Sequence, residues 1–138
     1  MTLKNFPAAI NDFNAAIKIH EFFFEARQLR AIAYYLLRKY KRAIEYFDKI
    51  LAINVNDAVS YFYRGLSHYW LENFKQATED FTSVVYFYPD HVEAYKYRAM
   101  AYELLGDEAR SIADARKATE LEKIRDKIFR MPSGVFFL

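Results

Sequence analysis

The chain of 138 residues repeats its pattern of small, aromatic and charged side chains every 34 positions. The clearest matches are small with small, ring with ring and arginine with arginine: Ala43, Ala77 and Ser111; Ala31, Gly65 and Ala99; Phe13, Phe47 and Phe81; Arg30, Arg64 and Arg98. A period of this length is typical of helical repeats, in which one unit cannot bury its apolar face alone and must stack on a neighbour. We therefore expect a stack of similar units whose function lies on its surface rather than in a catalytic cleft.

Each period contains the pattern of two helices. Apolar residues follow helical spacing, as in Leu29, Ile32 and Leu36, while Asn73 and Asp107 are suited to cap the second helix of a pair. Turn residues at 54–57 and 88–90 separate the units. The sequence predicts one domain over residues 1–130, with a half repeat at 5–22, full repeats at about 23–57, 58–91 and 92–123, and a last helix extended to about residue 130. An apolar tail, 131–138, follows.

The repeat at 58–91 carries a recognisable set of residues: Tyr61, Gly65, Leu66, Ala77, Phe81, Val84 and Pro89. In this set the chain resembles the tetratricopeptide repeat family over roughly residues 5–123. The resemblance implies an all-α, right-handed solenoid whose first helices line a concave groove, and members that mostly act as scaffolds for other proteins. Two features depart from the family pattern. Arg27 replaces a bulky apolar residue, and Glu108 and Ala115 replace rings in the last repeat, as expected of an end cap.

The family geometry predicts an aromatic groove as the partner-binding surface. We expect it to contain Gln28, Ile32, Tyr35, Phe62, Tyr63, Leu66, Tyr69, Trp70, Lys96, Tyr97 and Met100. Aromatic anchors of this kind carry much of the binding energy in interfaces, which favours an apolar strand or an amphipathic helix as the partner. The alternative is that these rings only pack within their own stack.

One class of family ligand is not expected. Members that bind acidic chaperone tails hold the terminal carboxylate with lysine, asparagine and arginine. The equivalent positions here are Gln28, Ile32, Tyr63, Glu93 and Tyr97. We therefore predict that the partner is not an acidic chaperone C-terminus.

Charge defines a second candidate surface. Although the formal net charge is only +2, a basic edge of Arg38, Lys39, Lys41 and Arg42 crowds one turn between helices. Such an edge can contact phosphates or anionic lipid, but it is more often merely solvated, and nucleic acid is not the partner we expect. The recurring arginines are expected to form structural ion pairs. Two pairings remain open: Arg64 with Asp80 and Arg98 with Asp114, or Arg30 with Asp12 and Arg98 with Asp80.

The sequence gives no support for catalysis, a metal or a cofactor. It has no cysteine, isolated glycines, and three histidines at unrelated repeat positions, His20, His68 and His91. We expect His68 to be a buried, hydrogen-bonded residue. No window has the ~18 apolar residues of a membrane span, and the first residues do not read as a secretory signal. We expect a non-enzyme in the cytoplasm, with the nucleus as an alternative.

The two ends suggest an alternative function. The first helix lacks the partner that a complete repeat would supply, and the segment 135–138 is entirely apolar. Contiguous exposed apolar groups promote association. A second copy could therefore complete the stack and make the chain a self-associating structural module, or the chain could be a fragment of a longer repeat protein.

Overall fold

Seven helices account for most of the residues that the computed structural model describes, which are 5–19 and 23–132. They are α1 (Phe6–Ile19), α2 (Phe24–Leu36), α3 (Tyr40–Ile53), α4 (Ala58–Trp70), α5 (Phe74–Phe87), α6 (Val92–Leu104) and α7 (Glu108–Phe129). No strand occurs in these two ranges. Each helix packs against its neighbours in chain order, and α4 also contacts both α2 and α6 directly. The prediction of an all-α solenoid is confirmed, and we call α2, α4 and α6 the inner helices.

Small residues in register allow the paired helices to approach closely. Ala43 and Ala77 are fully buried, as are the rings of Phe47 and Phe81 at the next repeated position. Gly65 on α4 is the tightest point, because an added Cβ would lie 2.9 Å from Cε1 of Phe81. The repeated pattern of small and aromatic residues is thus the packing pattern of the core.

The turn within each helix pair has the same backbone conformation in all three repeats. Arg38, Glu72 and Gly106 occupy equivalent positions with φ of 62°, 63° and 82°. The next backbone N–H donates five residues back in each turn, from Lys39 to the carbonyl of Tyr34 at 2.9 Å in the first. This is the Schellman ending of a helix, which favours glycine at the left-handed position. Only the third turn has the glycine.

A tyrosine fastens the loop between repeats. The Tyr61 hydroxyl donates to the carbonyl of Val55 at 3.0 Å, and the Tyr95 hydroxyl donates to the carbonyl of Pro89 at 2.8 Å. Both tyrosines reach six residues back to equivalent carbonyls. Arg27 holds this position in the first repeat, so that repeat lacks the tyrosine contact.

The helix caps agree only in part with the sequence. Asp107 accepts a hydrogen bond from the backbone N–H of Arg110 at 3.1 Å, as expected of an N-cap. Asn73 stands at the cap position of α5, but its side chain makes no capping hydrogen bond, so that part of the prediction is wrong. His91 is the N-cap of α6, and its Nδ1 accepts a hydrogen bond from the backbone N–H of Ala94 at 3.1 Å.

The last helix is longer than its partner. Since α7 has 22 residues and α6 has 13, the end of α7 extends past the beginning of α6. The positions predicted to cap the stack, Glu108 and Ala115, are exposed. The apolar segment 135–138 lies outside the described residues.

Candidate functional site

Six rings on the inner helices form a closed circuit, which we call the aromatic cluster. Its members are Tyr35 on α2, Phe62, Tyr63, Tyr69 and Trp70 on α4, and Tyr97 on α6. Successive ring centroids lie 5.4 Å apart between Tyr35 and Tyr63, 5.6 Å between Tyr63 and Phe62, 6.5 Å between Phe62 and Tyr97, 5.6 Å between Tyr97 and Tyr69, and 5.2 Å between Tyr69 and Trp70. Trp70 closes the circuit by donating from Nε1 to the Tyr35 hydroxyl at 3.2 Å.

The aromatic cluster is fixed from below by the core. Tyr63 stacks on Phe47 with centroids 6.3 Å apart, and Tyr97 stacks on Phe81 at 6.0 Å. Both phenylalanines are fully buried. The core therefore holds Tyr63 and Tyr97 in fixed positions.

Exposure differs between the predicted groove residues. Trp70 is 48% exposed, and the five other rings of the aromatic cluster are half-buried. Leu66, in contrast, is only 4% exposed. It packs in the core beside Phe81, so the prediction that it lines the groove is wrong; its helical position turns it toward α5.

Three further groove predictions have other contacts. Gln28 donates from Nε2 to both carboxylate oxygens of Asp57, at 3.1 and 3.0 Å, and so links α2 to the loop between α3 and α4. Lys96 forms an ion pair with Glu122 of α7. Ile32 is half-buried and packs against the core that α1, α2 and α3 share, whereas Met100 on α6 is 43% exposed. The structure thus brings the six rings together and gives Gln28 and Lys96 structural partners.

Two rings that were absent from the predicted groove border the aromatic cluster. Tyr40 lies 5.7 Å from Tyr35, and Phe74 lies 5.6 Å from Tyr69, measured between centroids. Both follow a turn and stand at equivalent repeat positions. The sequence signal that could have found them is this register, because Tyr35 and Tyr69 are themselves 34 residues apart.

Two tyrosines of the aromatic cluster, Tyr35 and Tyr69, favour their neutral form. Burial raises the pKa of Tyr35, although its hydrogen bond with Trp70 acts in the opposite direction. Burial also raises the pKa of Tyr69. Neutral hydroxyls can donate to a partner backbone as well as accept from it, so the surface combines apolar ring faces with polar rims.

The recurring arginines form a ladder across the repeats. Arg64 donates to Asp80 at 3.0 and 2.7 Å and to Asp48 at 2.8 Å, and Arg98 donates to Asp114 at 2.7 Å twice and to Thr82 at 3.1 Å. The pairing within a repeat is therefore the one that forms. Arg30 bonds Asn14 at 2.9 Å rather than Asp12, and its guanidinium lies 4.1 Å from the centroid of the Tyr46 ring.

The four residues of the basic edge are all exposed. Arg38 is the left-handed residue of the turn, Lys39 is the N-cap of α3, and Arg42 lies with its guanidinium 5.5 Å from the centroid of the Tyr34 ring. Tyr40 sits inside this run and contacts Tyr35 of the aromatic cluster. The basic edge therefore adjoins the end of the aromatic cluster.

The other sequence expectations concern histidines, metals and membranes. His68 is half-buried, but its Nδ1 is buried without a hydrogen-bond partner, so the expected hydrogen bond is absent at that nitrogen. His20 lies outside the described residues.

Among residues 5–19 and 23–132, no three His, Asp or Glu side chains are grouped as a metal site would need. In the same ranges, no helix combines the length and the apolar character required to cross a membrane.

Comparison with known proteins agrees with this geometry. The family model for the tetratricopeptide repeat matches residues 1–58 and 62–123. No curated protein sequence matches the chain. Among solved structures, MamA 41-end from Desulfovibrio magneticus RS-1 aligns with a TM-score of 0.82 at 20% identity, covering 90% of this chain and 70% of that one.

Two related structures are similar to the chain to the same degree. The MamA RS-1 ArsTM double mutant has a TM-score of 0.83 at 20% identity, covering 89% of this chain and 69% of that chain. A crystal structure of MamA has a TM-score of 0.79 at 22% identity, covering 86% and 69%. At this identity the likeness concerns the fold.

Proposed function

The chain belongs to the tetratricopeptide repeat family, and from this premise we propose that it is a non-catalytic scaffold that binds another protein on its aromatic cluster. The partner element is an amphipathic helix or an apolar strand whose side chains pack on the exposed ring faces. An acidic chaperone tail is not the ligand, because the positions that would hold its carboxylate carry Gln28, Ile32, Tyr63, Glu93 and Tyr97.

The observation that carries this proposal is the state of Trp70. Its side chain is 48% exposed, yet its ring packs on Tyr69 and its Nε1–H is bonded to Tyr35. An exposed indole in a fixed orientation offers a large apolar area at little entropic cost, and Trp and Tyr are enriched among the residues that dominate binding. The half-buried rings around it supply a shallow apolar floor.

The proposal is tested by selecting binders from a display library of random peptides. The intact chain is compared with Trp70→Ala and with a control, Tyr86→Ala, which removes an aromatic side chain on α5 that is 79% exposed. We expect selected peptides to lose affinity by about tenfold or more on Trp70→Ala, a loss of at least ~1.4 kcal/mol. Tyr86→Ala should retain binding. Circular dichroism checks that both variants remain folded.

Equal binding to the intact chain and to Trp70→Ala would contradict the proposal. A stronger loss on Tyr86→Ala than on Trp70→Ala would place the binding surface on the outer helices instead. Failure to enrich any peptide on the intact chain would also count against the aromatic cluster as a peptide site.

A second candidate function, self-association, is favoured by the end of α7. The end of α7 extends past the beginning of α6, and the two helices border an open hollow of about 510 Å³ there. The apolar side chains that line this hollow are Tyr88, Val92, Leu121, Ile124, Ile128 and Phe129. Phe129 is 79% exposed. Contiguous exposed apolar surface of this kind promotes association between copies.

Sedimentation analysis separates this candidate from the first. If copies associate through α7, the mass of the intact chain rises with concentration, and Ile128→Glu returns it to the monomer. Val55→Glu, at a loop residue that is 61% exposed, should leave the association unchanged. A monomer at every concentration would exclude self-association through α7.

A further inference from the structure

The three turns within the helix pairs lie along one edge of the stack. Trp70 and Tyr35 are near the ends of α4 and α2, and their hydrogen bond places the first two turns side by side. The third turn joins them across a hollow of about 520 Å³ bordered by Lys75, Leu105, Asp107 and Arg110. The same edge therefore presents residues 37–42, 71–76 and 105–110, which are equivalent positions of the repeat.

Charge changes along this edge. The first turn has four basic residues, which form the basic edge, and no acid; the second has Glu72 and Lys75 and is neutral. The third has Asp107, Glu108 and Arg110 and is negative by one charge. With inner helices about 10 Å apart, the first and third turns are separated by roughly 20 Å. That distance exceeds the ~10 Å screening length at moderate ionic strength, so a ligand experiences two different ends.

The described residues do not neutralise the basic edge. Within the two described ranges, none of its four residues has a carboxylate oxygen at ion-pair distance, whereas Arg110 pairs with Asp107 at 3.4 Å in the third turn. Glu45, one helical turn beyond Arg42, is an acidic neighbour that acts on it through space. The residual positive charge thus faces solvent beside the aromatic cluster.

We infer that the partner segment carries acidic residues at one end, and that these lie against Arg38, Lys39, Lys41 and Arg42 while its apolar residues cover the aromatic cluster. This inference rests on the proposed function and adds the chemistry and the direction of the ligand. Tyr40 connects the two parts of the site, since it lies within the basic run and contacts Tyr35. The acids of the third turn disfavour the reversed orientation, because like charges would then meet.

The experiment is the peptide selection repeated on two further variants. One replaces Arg38, Lys39, Lys41 and Arg42 by Gln, and the matched control replaces Lys75 and Arg110 by Gln. The control residues are equivalent to Lys41 and Arg42 in the second and third repeats. We expect the intact chain and the control to select peptides with Asp or Glu clustered at one side of the apolar residues. The four-residue variant should select apolar peptides without that bias.

Affinity measurements sharpen the same test. For a selected acidic peptide, the four-residue variant should bind about tenfold more weakly than the control at low salt, and the difference should shrink at high salt. For the same peptide with its acids changed to Gln, the intact chain and the variant should bind equally.

The outcomes separate the two proposals. Enrichment of Trp70-dependent peptides without acidic bias would overturn this inference and leave the proposed function standing. Selection of no peptide would overturn both. Retention of a single-stranded RNA oligonucleotide that depends on the basic edge, together with peptides lacking acidic bias, would make the edge a nucleic-acid surface and also overturn the inference.

Discussion

The first and second helix pairs place an arginine at the same position and surround it differently. Arg64 in the second pair is held by Asp80 and Asp48, whereas Arg30 in the first is held by Asn14 and the face of Tyr46. Burial alone would lower the pKa of Arg64, but the hydrogen bonds and charges of both carboxylates outweigh it and raise that pKa. Burial lowers the pKa of Arg30.

The difference shows that packing and charge can change independently in a repeat. A Tyr46 ring occupies the position of the Asp80 carboxylate and stacks on Tyr34 with centroids 5.2 Å apart, and α2 still packs against α3 as α4 does against α5. Because the first pair has Tyr46 where the second pair has Asp80, the first pair has one negative charge fewer at this position. Residues 24–53 have seven basic residues against three acids, and the basic edge among them lies next to the aromatic cluster.

The largest effect should come from removing the carboxylate that the second pair has and the first pair lacks. Asp80 is 4% exposed, and burial raises its pKa despite the hydrogen bond and charge of Arg64, so the two groups depend on each other. We expect Asp80→Ala to lower the free energy of unfolding by about 3 kcal/mol, because it leaves a half-buried guanidinium with one exposed partner. Urea denaturation measures this loss.

Asp48→Ala is the matched control, since it removes the other carboxylate bound to Arg64. The Asp48 side chain is 56% exposed, and exposed ion pairs contribute about 1 kcal/mol or less. A loss on Asp48→Ala equal to that on Asp80→Ala would show that burial does not distinguish the two partners.

The next largest effect on stability should come from the close approach of α4 and α5 at Gly65. Ala31 fills the position in the first pair that Gly65 fills in the second, where a Cβ would meet Cε1 of Phe81 at 2.9 Å and Cβ of Asp80 at 3.1 Å. We expect Gly65→Ala to destabilise the fold by about 2 kcal/mol through overpacking. Ala31→Gly should cost about 1 kcal/mol, from the lower helix propensity of glycine. A stabilised Gly65→Ala protein would show that α4 and α5 can separate without loss.

Much of the fold could be predicted from the sequence because one period controls many positions. Small residues such as Ala43 and Ala77, and rings such as Phe47 and Phe81, have the same neighbours in each repeat, so register alone predicts their burial. The family match and the helical repeat follow from this pattern. The within-repeat contact between Arg64 and Asp80 was one of two pairings that the sequence left open, because register does not show which neighbouring repeat supplies the acid.

The candidate site was less predictable because it depends on side-chain orientation across repeats. The family geometry predicted that Leu66 lines the groove, yet its side chain packs in the core cluster that contains Ala77 and Phe81. Gln28 bonds Asp57, a contact between a helix and a loop 29 residues away that no local pattern encodes. The hydrogen bond from Trp70 to Tyr35 likewise requires the final spacing of α2 and α4.

The left-handed turns give a smaller difference between repeats. Arg38 has φ of 62° where Gly106 has 82°, and a left-handed non-glycine residue costs roughly 1 kcal/mol. We expect Arg38→Gly to stabilise the fold by about 0.5 kcal/mol after the entropy of glycine in the unfolded chain is subtracted. Gly106→Ala should destabilise it by about 1 kcal/mol. Thermal denaturation of both variants measures these changes, and a loss of stability on Arg38→Gly would show that the arginine side chain supports the turn.

The smallest effect should be a dependence of stability on pH, which His68 causes in the second pair. Tyr34 holds the equivalent position in the first pair, and Tyr102 in the third. Burial lowers the pKa of His68, although Asp80 acts in the opposite direction, and no hydrogen bond satisfies its Nδ1. As the pH falls through the unfolded value of about 6.5, the unfolded chain therefore takes up a proton before the folded chain does.

Stability should fall as the pH is lowered through the unfolded value of about 6.5, and the decrease should end below the lower pKa of the folded chain, where both states are protonated. His68→Tyr, which restores the residue of the other repeats, should flatten this part of the profile of melting temperature against pH. His20 and His91 are present in both proteins, so the difference between the two profiles isolates His68. Parallel profiles would mean that His68 titrates equally in the folded and unfolded chains, and that its burial does not disfavour the imidazolium.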